Sequence, residues 1–144
     1  MTRLGIVMTR PFNYTGVGQE PRYLIPKIVN HFKARAPHIE LGNTDVARDF
    51  SDVRDVARAY RALAEAQPLG ETFNLCSGEA TALETCIRMA AEITGHDMEV
   101  MVNPDFVRAN EVKTLRGSSE KLDHATGRER RHSIRDTLEW MLQY

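Results

Sequence analysis

The chain has 144 residues, 42% of them hydrophobic and 27% charged, with 19 Lys plus Arg against 20 Asp plus Glu and a formal net charge of −1. That length suits one folding unit with its own core, and the near-neutral balance excludes nucleic-acid binding through bulk positive field as well as an acidic solvating tail. No apolar run approaches the ~20 residues that cross a bilayer, no signal-peptide pattern is present, and two cysteines make no disulfide framework, so a reduced, cytoplasmic protein away from the membrane is expected.

Leu4-Gly5-Ile6-Val7-Met8 is a short apolar run, the pattern of a buried strand. It leads through Arg10-Pro11-Phe12-Asn13 into a turn-rich stretch with Gly16 and Gly18, and a strand feeding a glycine-bearing loop is where α/β proteins bind ligands. Leu24, Ile25, Ile28, Val29 and Phe32 follow helical spacing; Pro26 fits only a first turn, so the helix starts near residue 23 or 24. Ile39-Glu40-Leu41 reads as a strand ended by Gly42-Asn43. Residues 46–55 read as a polar ribbon before an amphipathic helix through Val53, Val56, Ala57, Tyr60, Leu63 and Ala64, with Ser51 or Asp52 as N-cap.

Residues 72–76 read as another strand. Thr81 and Glu84 have capping-box spacing before a helix that ends at Gly95. Met98 to Val102 is strand-like and stops at Asn103-Pro104. A short helix from Ser118 or Ser119 to Gly127 and another from Ser133 to Leu142 follow. Strands alternating with helices make the fold class α/β. Only the segments near residues 4–9 and 72–76 look like members of a buried parallel sheet, and two such strands are too few for a doubly wound core; the chain reads as part of something larger.

His31, His38, His96, His124 and His132 lack the paired spacings of metal sites, and Cys76 and Cys86 have no adjacent cation to activate a thiol. No G-x-S-x-G, Walker or G-x-G-x-x-G motif occurs. Tyr23-x-x-x-Lys27 has the spacing of a Tyr–Lys catalytic pair, but Pro26 lies inside it where the helix is only beginning. The chemistry-bearing residues that remain are Asn13 past the first strand, Arg48 in the polar ribbon, and Arg108 with Glu111 in one short segment. Two arginines and an amide that converged would suit a pyrophosphate, because guanidinium groups grip phosphate oxygens in bidentate fashion. A carboxylate nearby could accept both hydroxyls of a ribose. From composition alone, solvated or ion-paired arginines are the competing reading.

Arg10-Pro11-Phe12-Asn13-Tyr14-Thr15-Gly16-Val17-Gly18-Gln19 resembles the R-P-F-N-x-x-G-P-G-Q segment of extended short-chain dehydrogenase/reductases of the NAD-dependent epimerase/dehydratase family, which act on nucleotide sugars. Leu41-Gly42-Asn43, Arg48-Asp49-Phe50 and Asp52-Val53-Arg54-Asp55 resemble the G-N-x-x-x-x-R-D-F-x-D-V-R-D stretch of its GDP-mannose branch of reductases and dehydratases. Phe73-Asn74-Leu75-Cys76-Ser77-Gly78 is similar to its Y-N-V-C-S-G strand. Arg108-Ala109-Asn110-Glu111-Val112 with Leu115-x-Gly117-x-x-x-Lys121-Leu122 is similar to R-P-x-E-V…L-x-G-x-x-x-K-L. The likeness runs in order along nearly the whole chain and covers the family's C-terminal half. The glycine-rich loop, the Ser/Thr and the Tyr-x-x-x-Lys pair of its N-terminal half have no counterpart.

The resemblance implies a Rossmann-like α/β fold with an incomplete parallel sheet and a small substrate-binding subdomain, residues 1–144 forming the substrate-binding portion. It further implies that Asn13, Arg48 and Arg108 contact the pyrophosphate of a GDP-sugar and that Glu111 holds the ribose. Leu24 and Lys27 would border the guanine, a surface lysine being the alternative for Lys27. The backbone at Pro11 and Phe12 would pass the nicotinamide of NAD or NADP, a cofactor of the complete enzyme that this chain alone is not expected to bind. Arg54 and Asp55 are assigned to a helix start and an ion pair. Val17 and Ala109 replace family prolines, and Arg128-Glu129-Arg130-Arg131 replaces a Trp- and Pro-bearing stretch before the last helix. Expected partners are a GDP-sugar and the absent N-terminal half or a second copy of the chain. No catalytic or metal-binding residue is assigned. The alternatives are a free-standing nucleotide-diphosphate-binding module and a non-catalytic interaction domain working through unpaired sheet edges.

Overall fold

The computed structural model describes residues 5–144. Parallel pairing dominates its sheets. Strand β1 (Met8–Pro11) lies parallel to β5 (Thr72–Leu75), so the two segments nominated for the buried sheet do pair. The first strand begins later than its apolar run suggests and is not buried: Met8, Arg10 and Pro11 are exposed, as is Ile6 before it, because among the described residues the strand is paired only with β5. Leu4 lies outside the described residues. A second group centres on β4 (Ala47–Asp52), which takes β2 (Asn13–Thr15) in parallel along residues 50–52. Its residues 47–49 take β6 (Ala80–Ala82) antiparallel, and residues 47–48 take β8 (Thr114–Leu115) in parallel. The third pair, β3 (His38–Leu41) with β7 (Glu99–Val102), is parallel too.

The polar ribbon is therefore a strand, β4, and its burial explains why it escapes a hydropathy pattern. Asp49, Ser51 and Asp52 are buried beside Phe50, and the two carboxylates are compensated by hydrogen bonds. Asp49 accepts from the N–H and hydroxyl of Ser77 (2.7 Å each), from the Gly78 N–H (3.0 Å) and from the Gly117 N–H (3.2 Å). Gly117 is required at that approach, since a Cβ there would lie 2.6 Å from Cys76 Sγ and 2.9 Å from the Phe12 ring.

Helix α1 (Leu24–Lys33) begins at Tyr23, which stays extended, and Pro26 occupies the third helical position, where its missing N–H costs nothing. Asp52 caps α2 (Val53–Ala66), accepting from the Arg54 N–H at 2.8 Å. Arg54 pairs with Asp52, and Asp55 pairs with Arg58. Helix α3 (Leu83–Thr94) ends at Gly95 in the left-handed region. It is not opened by the predicted capping box: Ala82 is its N-cap and no side chain caps it, because Thr81 is spent inside β6 opposite Arg48. Helix α4 (Glu120–Thr126) also starts without a side-chain cap, whereas α5 (Ile134–Gln143) has a complete capping box between Ser133 and Asp136.

Among the described residues two apolar clusters result. The larger joins α1, α3 and α5 to β3 and β4 through Ile28, Phe32, Ile39, Phe50, Cys86 and Leu138. The smaller sits between α2, α4 and β5, with Leu63, Phe73, Leu75 and Leu122. The arginine-rich stretch before α5 is fastened to α4, α2 and the turn after β5. Arg128 Nε reaches Asp123 at 3.0 Å, Arg130 pairs with Glu79, and the N–H groups of Arg131 and His132 point at Asp55. Ion pairs and main-chain hydrogen bonds thus hold this stretch in place. Among the described residues no helix is long and apolar enough to cross a membrane.

Candidate functional site

An open cleft of about 1130 Å³ lies where β2, the start of α1, the turn after β3, β4 and the 105–111 segment meet. Asn13, Leu24, Lys27, Arg48, Arg108 and Glu111 all line it, and so does Phe12; Pro11 does not. Asn13 and Arg48, distant in sequence, share one wall because β2 and β4 pair: Asn13 stands opposite Phe50, and Arg48, two residues earlier on β4, faces the same way.

Four cations, Arg22, Lys27, Arg48 and Arg108, line the cleft against two carboxylates, Asp105 and Glu111. The surplus is positive although the chain carries −1 overall. Glu111 organises the arginines. Its Oε1 accepts from Arg48 Nη2, and its Oε2 lies 3.8 Å from Arg108 Nη1. The Arg48 side chain is only 14% exposed and is steadied by donation from Nη1 to the Ala47 carbonyl at 2.9 Å, while Arg108 is 83% exposed. One guanidinium is fixed in the wall and the other projects from the rim, an arrangement that can close on an anion from two sides.

Lys27 donates to the Glu40 carbonyl at 2.6 Å, and its ammonium lies 5.0 Å from the centre of the Phe106 ring. Tyr23 is the helix N-cap, and its hydroxyl accepts from Arg22 at 3.2 Å. The two side chains of the Tyr-x-x-x-Lys spacing have separate partners and do not act as a pair. Phe12 and Pro11 offer apolar surface at the carboxyl end of β1. The Phe12 N–H is committed to the Leu75 carbonyl at 2.9 Å and proline has none. Neither residue therefore offers a free backbone N–H to a ligand.

Arg22 and Phe106 also line the cleft and carry no sequence signal for it; Tyr14 and Asn43 line it too and stand in the resembling segments with no role assigned there. Asn43 reads as a turn residue, yet its side chain accepts from the Arg108 N–H (2.8 Å) and donates to the Arg108 carbonyl (3.3 Å). Its neighbour Gly42 lies directly under Phe106, whose carbonyl a Cβ would strike. Both thiols are inert: burial pushes Cys76 up to about 11 and Cys86 to about 12. Among the described residues no three His, Cys, Asp or Glu side chains gather as metal ligands.

Known proteins share this sequence and shape. GDP-6-deoxy-D-talose 4-dehydrogenase from Aggregatibacter actinomycetemcomitans is 36% identical over 138 residues, covering 95% of this chain and 47% of that protein. GDP-6-deoxy-D-mannose reductase from Pseudomonas aeruginosa is 31% identical over 142 residues, with 47% of it covered. A crystal structure from Burkholderia cenocepacia J2315 superposes with a TM-score of 0.95 at 53% identity, covering 98% of this chain and 46% of that one. RMD from Pseudomonas aeruginosa, solved with NADPH, superposes at 0.89 with 31% identity, covering 95% and 47%. The chain spans about half the length of the curated relatives it matches. The family model described as GDP-mannose 4,6 dehydratase matches residues 2–141. A parallel α/β scaffold, the ordered motifs and a match along almost the whole sequence lead to one assignment: the chain belongs to the GDP-mannose 4,6 dehydratase family.

Proposed function

We propose that this chain is the GDP-sugar-binding portion of a nicotinamide-dependent nucleotide-sugar reductase or dehydratase, with the dinucleotide grip and the proton-transfer residues supplied by the part of the enzyme it does not contain. The observation that carries this is the cationic surplus of the cleft, built from Arg48 and Arg108 on either side of Glu111. Arg48, held in the wall, and exposed Arg108 would bind the diphosphate, with Asn13 donating from the β2 side. Glu111 would keep the guanidinium groups from repelling each other and accept the ribose hydroxyls. Leu24 and Lys27 would border the base, the lysine already turned toward Phe106. The substrates named for the two curated relatives favour a GDP-linked 6-deoxy sugar. The NADPH bound to the Pseudomonas structure favours NADP or NAD in the complete enzyme, with Phe12 and Pro11 as one wall for the nicotinamide.

Calorimetry on the 144-residue chain with GDP, UDP and guanosine tests the reading. Micromolar binding of GDP, weaker for guanosine and lost on Arg48→Ala, is expected. No heat at millimolar GDP, or guanosine bound as tightly as GDP, refutes it.

A further inference from the structure

The segment that delivers Arg108 is sewn to the turn after β3, and the stitches are unequal in purpose. At its start, the Asn103 N–H donates to the Leu41 carbonyl (2.8 Å) and its side-chain amide donates to Glu40 Oε2 (2.9 Å). In the middle, Phe106 rests on Gly42 and under the Lys27 ammonium. At the end stands Asn43. A primary amide presents one acceptor and two donors, and here it answers both main-chain groups of a single residue, Arg108, 65 positions away. A backbone residue gripped at N–H and C=O has its φ and ψ fixed. Its side chain then leaves the main chain in one direction. Arg108 needs such help, because its guanidinium is 83% exposed and its own salt-bridge contact, to Glu111, is long at 3.8 Å. An exposed arginine otherwise loses rotamer entropy for each contact it makes.

We infer that Asn43 is a positioning residue for ligand binding: by clasping the Arg108 backbone it aims that guanidinium into the cleft and so sets affinity for the phosphates of a nucleoside diphosphate. The inference rests on the diphosphate reading above and adds to it a residue that need not touch the ligand.

The test is a double-mutant cycle of Asn43→Ala and Arg108→Ala, read by calorimetry with GDP and with guanosine, together with amide hydrogen exchange. Asn43→Ala is expected to weaken GDP by about tenfold, the equivalent of one lost hydrogen bond of ordinary strength, and to leave guanosine unchanged. In the Arg108→Ala background it should change GDP affinity less than twofold. The Arg108 amide should be protected in the free wild-type chain and released in Asn43→Ala, which reads the clasp without any ligand. Equal loss for GDP and guanosine, or a tenfold loss that persists without the Arg108 side chain, overturns the positioning role. An unprotected Arg108 amide in the wild type overturns the clasp. If wild-type protein ignores GDP, the diphosphate reading itself fails before any substitution is made, and this inference falls with it.

Discussion

Asp49 is fully buried, and all its partners are donors: Ser77 twice on one oxygen, Gly78 and Gly117 on the other. Asn has the same shape but would aim an NH2 at two N–H groups, leaving them unsatisfied. Asp49→Asn is therefore expected to cost about 3 kcal/mol, measured as a lower urea midpoint at unchanged slope. Asp52 and Asp55 add a pH signature. Burial pushes each carboxyl up, but Arg54 and Thr137 at Asp52, and Arg58 and His132 at Asp55, outweigh it and hold both below the usual aspartate range. A depressed folded value means that the unfolded chain takes up protons first as acid is added. The stabilisation is complete above the ordinary aspartate value of about 3.9 and is lost as pH falls through the lower folded values. Thermal melts between pH 5 and 2 should show that decline, and Asp52→Asn should flatten it. In the sequence Asp52 is legible as one of two candidate N-caps and Asp55 as an ion-pair partner, but Asp49 is only a charge in a ribbon, because hydropathy says nothing about a carboxylate that folding will surround with donors. Arg48, Arg108 and Glu111 could be nominated by residue type and likeness. Arg22 could not, and Asn43 stands in a resembling motif that gives it no role, since what they do depends on neighbours brought near by folding.

At the scale of elements, the helices were legible and the short strands were not. Helix α2 advertises itself by a clear apolar stripe and a capping aspartate. Strands β2, β6 and β8 have three residues or fewer, too short for any alternation to appear. Capping shows the same limit: Ser133 and Thr81 have equivalent spacing to an acidic residue three positions on, yet only Ser133 is free of a strand and closes its box. Ser133→Ala should therefore lower stability by about 1 kcal/mol, seen as a fall in Tm of roughly 2–4 °C. Thr81→Ala, with no cap to lose, should not show a capping loss. Gly42 marks where two elements touch. Gly42→Ala would drive the Phe106 backbone away from the turn, and the calorimetric expectation is weaker GDP binding with β4 undisturbed.

For the molecule as a whole, the two apolar clusters divide the labour. The larger one lies behind the cleft, through α1, β3 and Phe50, and the smaller backs the β1–β5 pair. GDP should stabilise the first more than the second. At a hundred times its dissociation constant it adds about 2.7 kcal/mol to the folded state, and hydrogen exchange should slow most in α1 and β3. Mixed with NADPH and a GDP-4-keto sugar, the isolated chain should leave nicotinamide absorbance unchanged. Tyr23 and Lys27 are occupied separately, and neither Pro11 nor Phe12 offers a free backbone N–H; any turnover above the blank contradicts this.

Strand β4 ties these scales together, for consecutive residues along it serve different ends. Arg48 and Phe50 look toward the cleft, Asp49 gathers two distant loops, and Asp52 joins the start of α2 to Thr137 on α5. Because faces alternate residue by residue, a single insertion ahead of Arg48 would turn the ligand-facing arginine inward and the loop-gathering aspartate outward at one stroke. This strand can change in chemistry but not in length, so new specificity in such a protein has to come from the segments bordering the cleft, where the chain can grow or shrink without turning anything inside out.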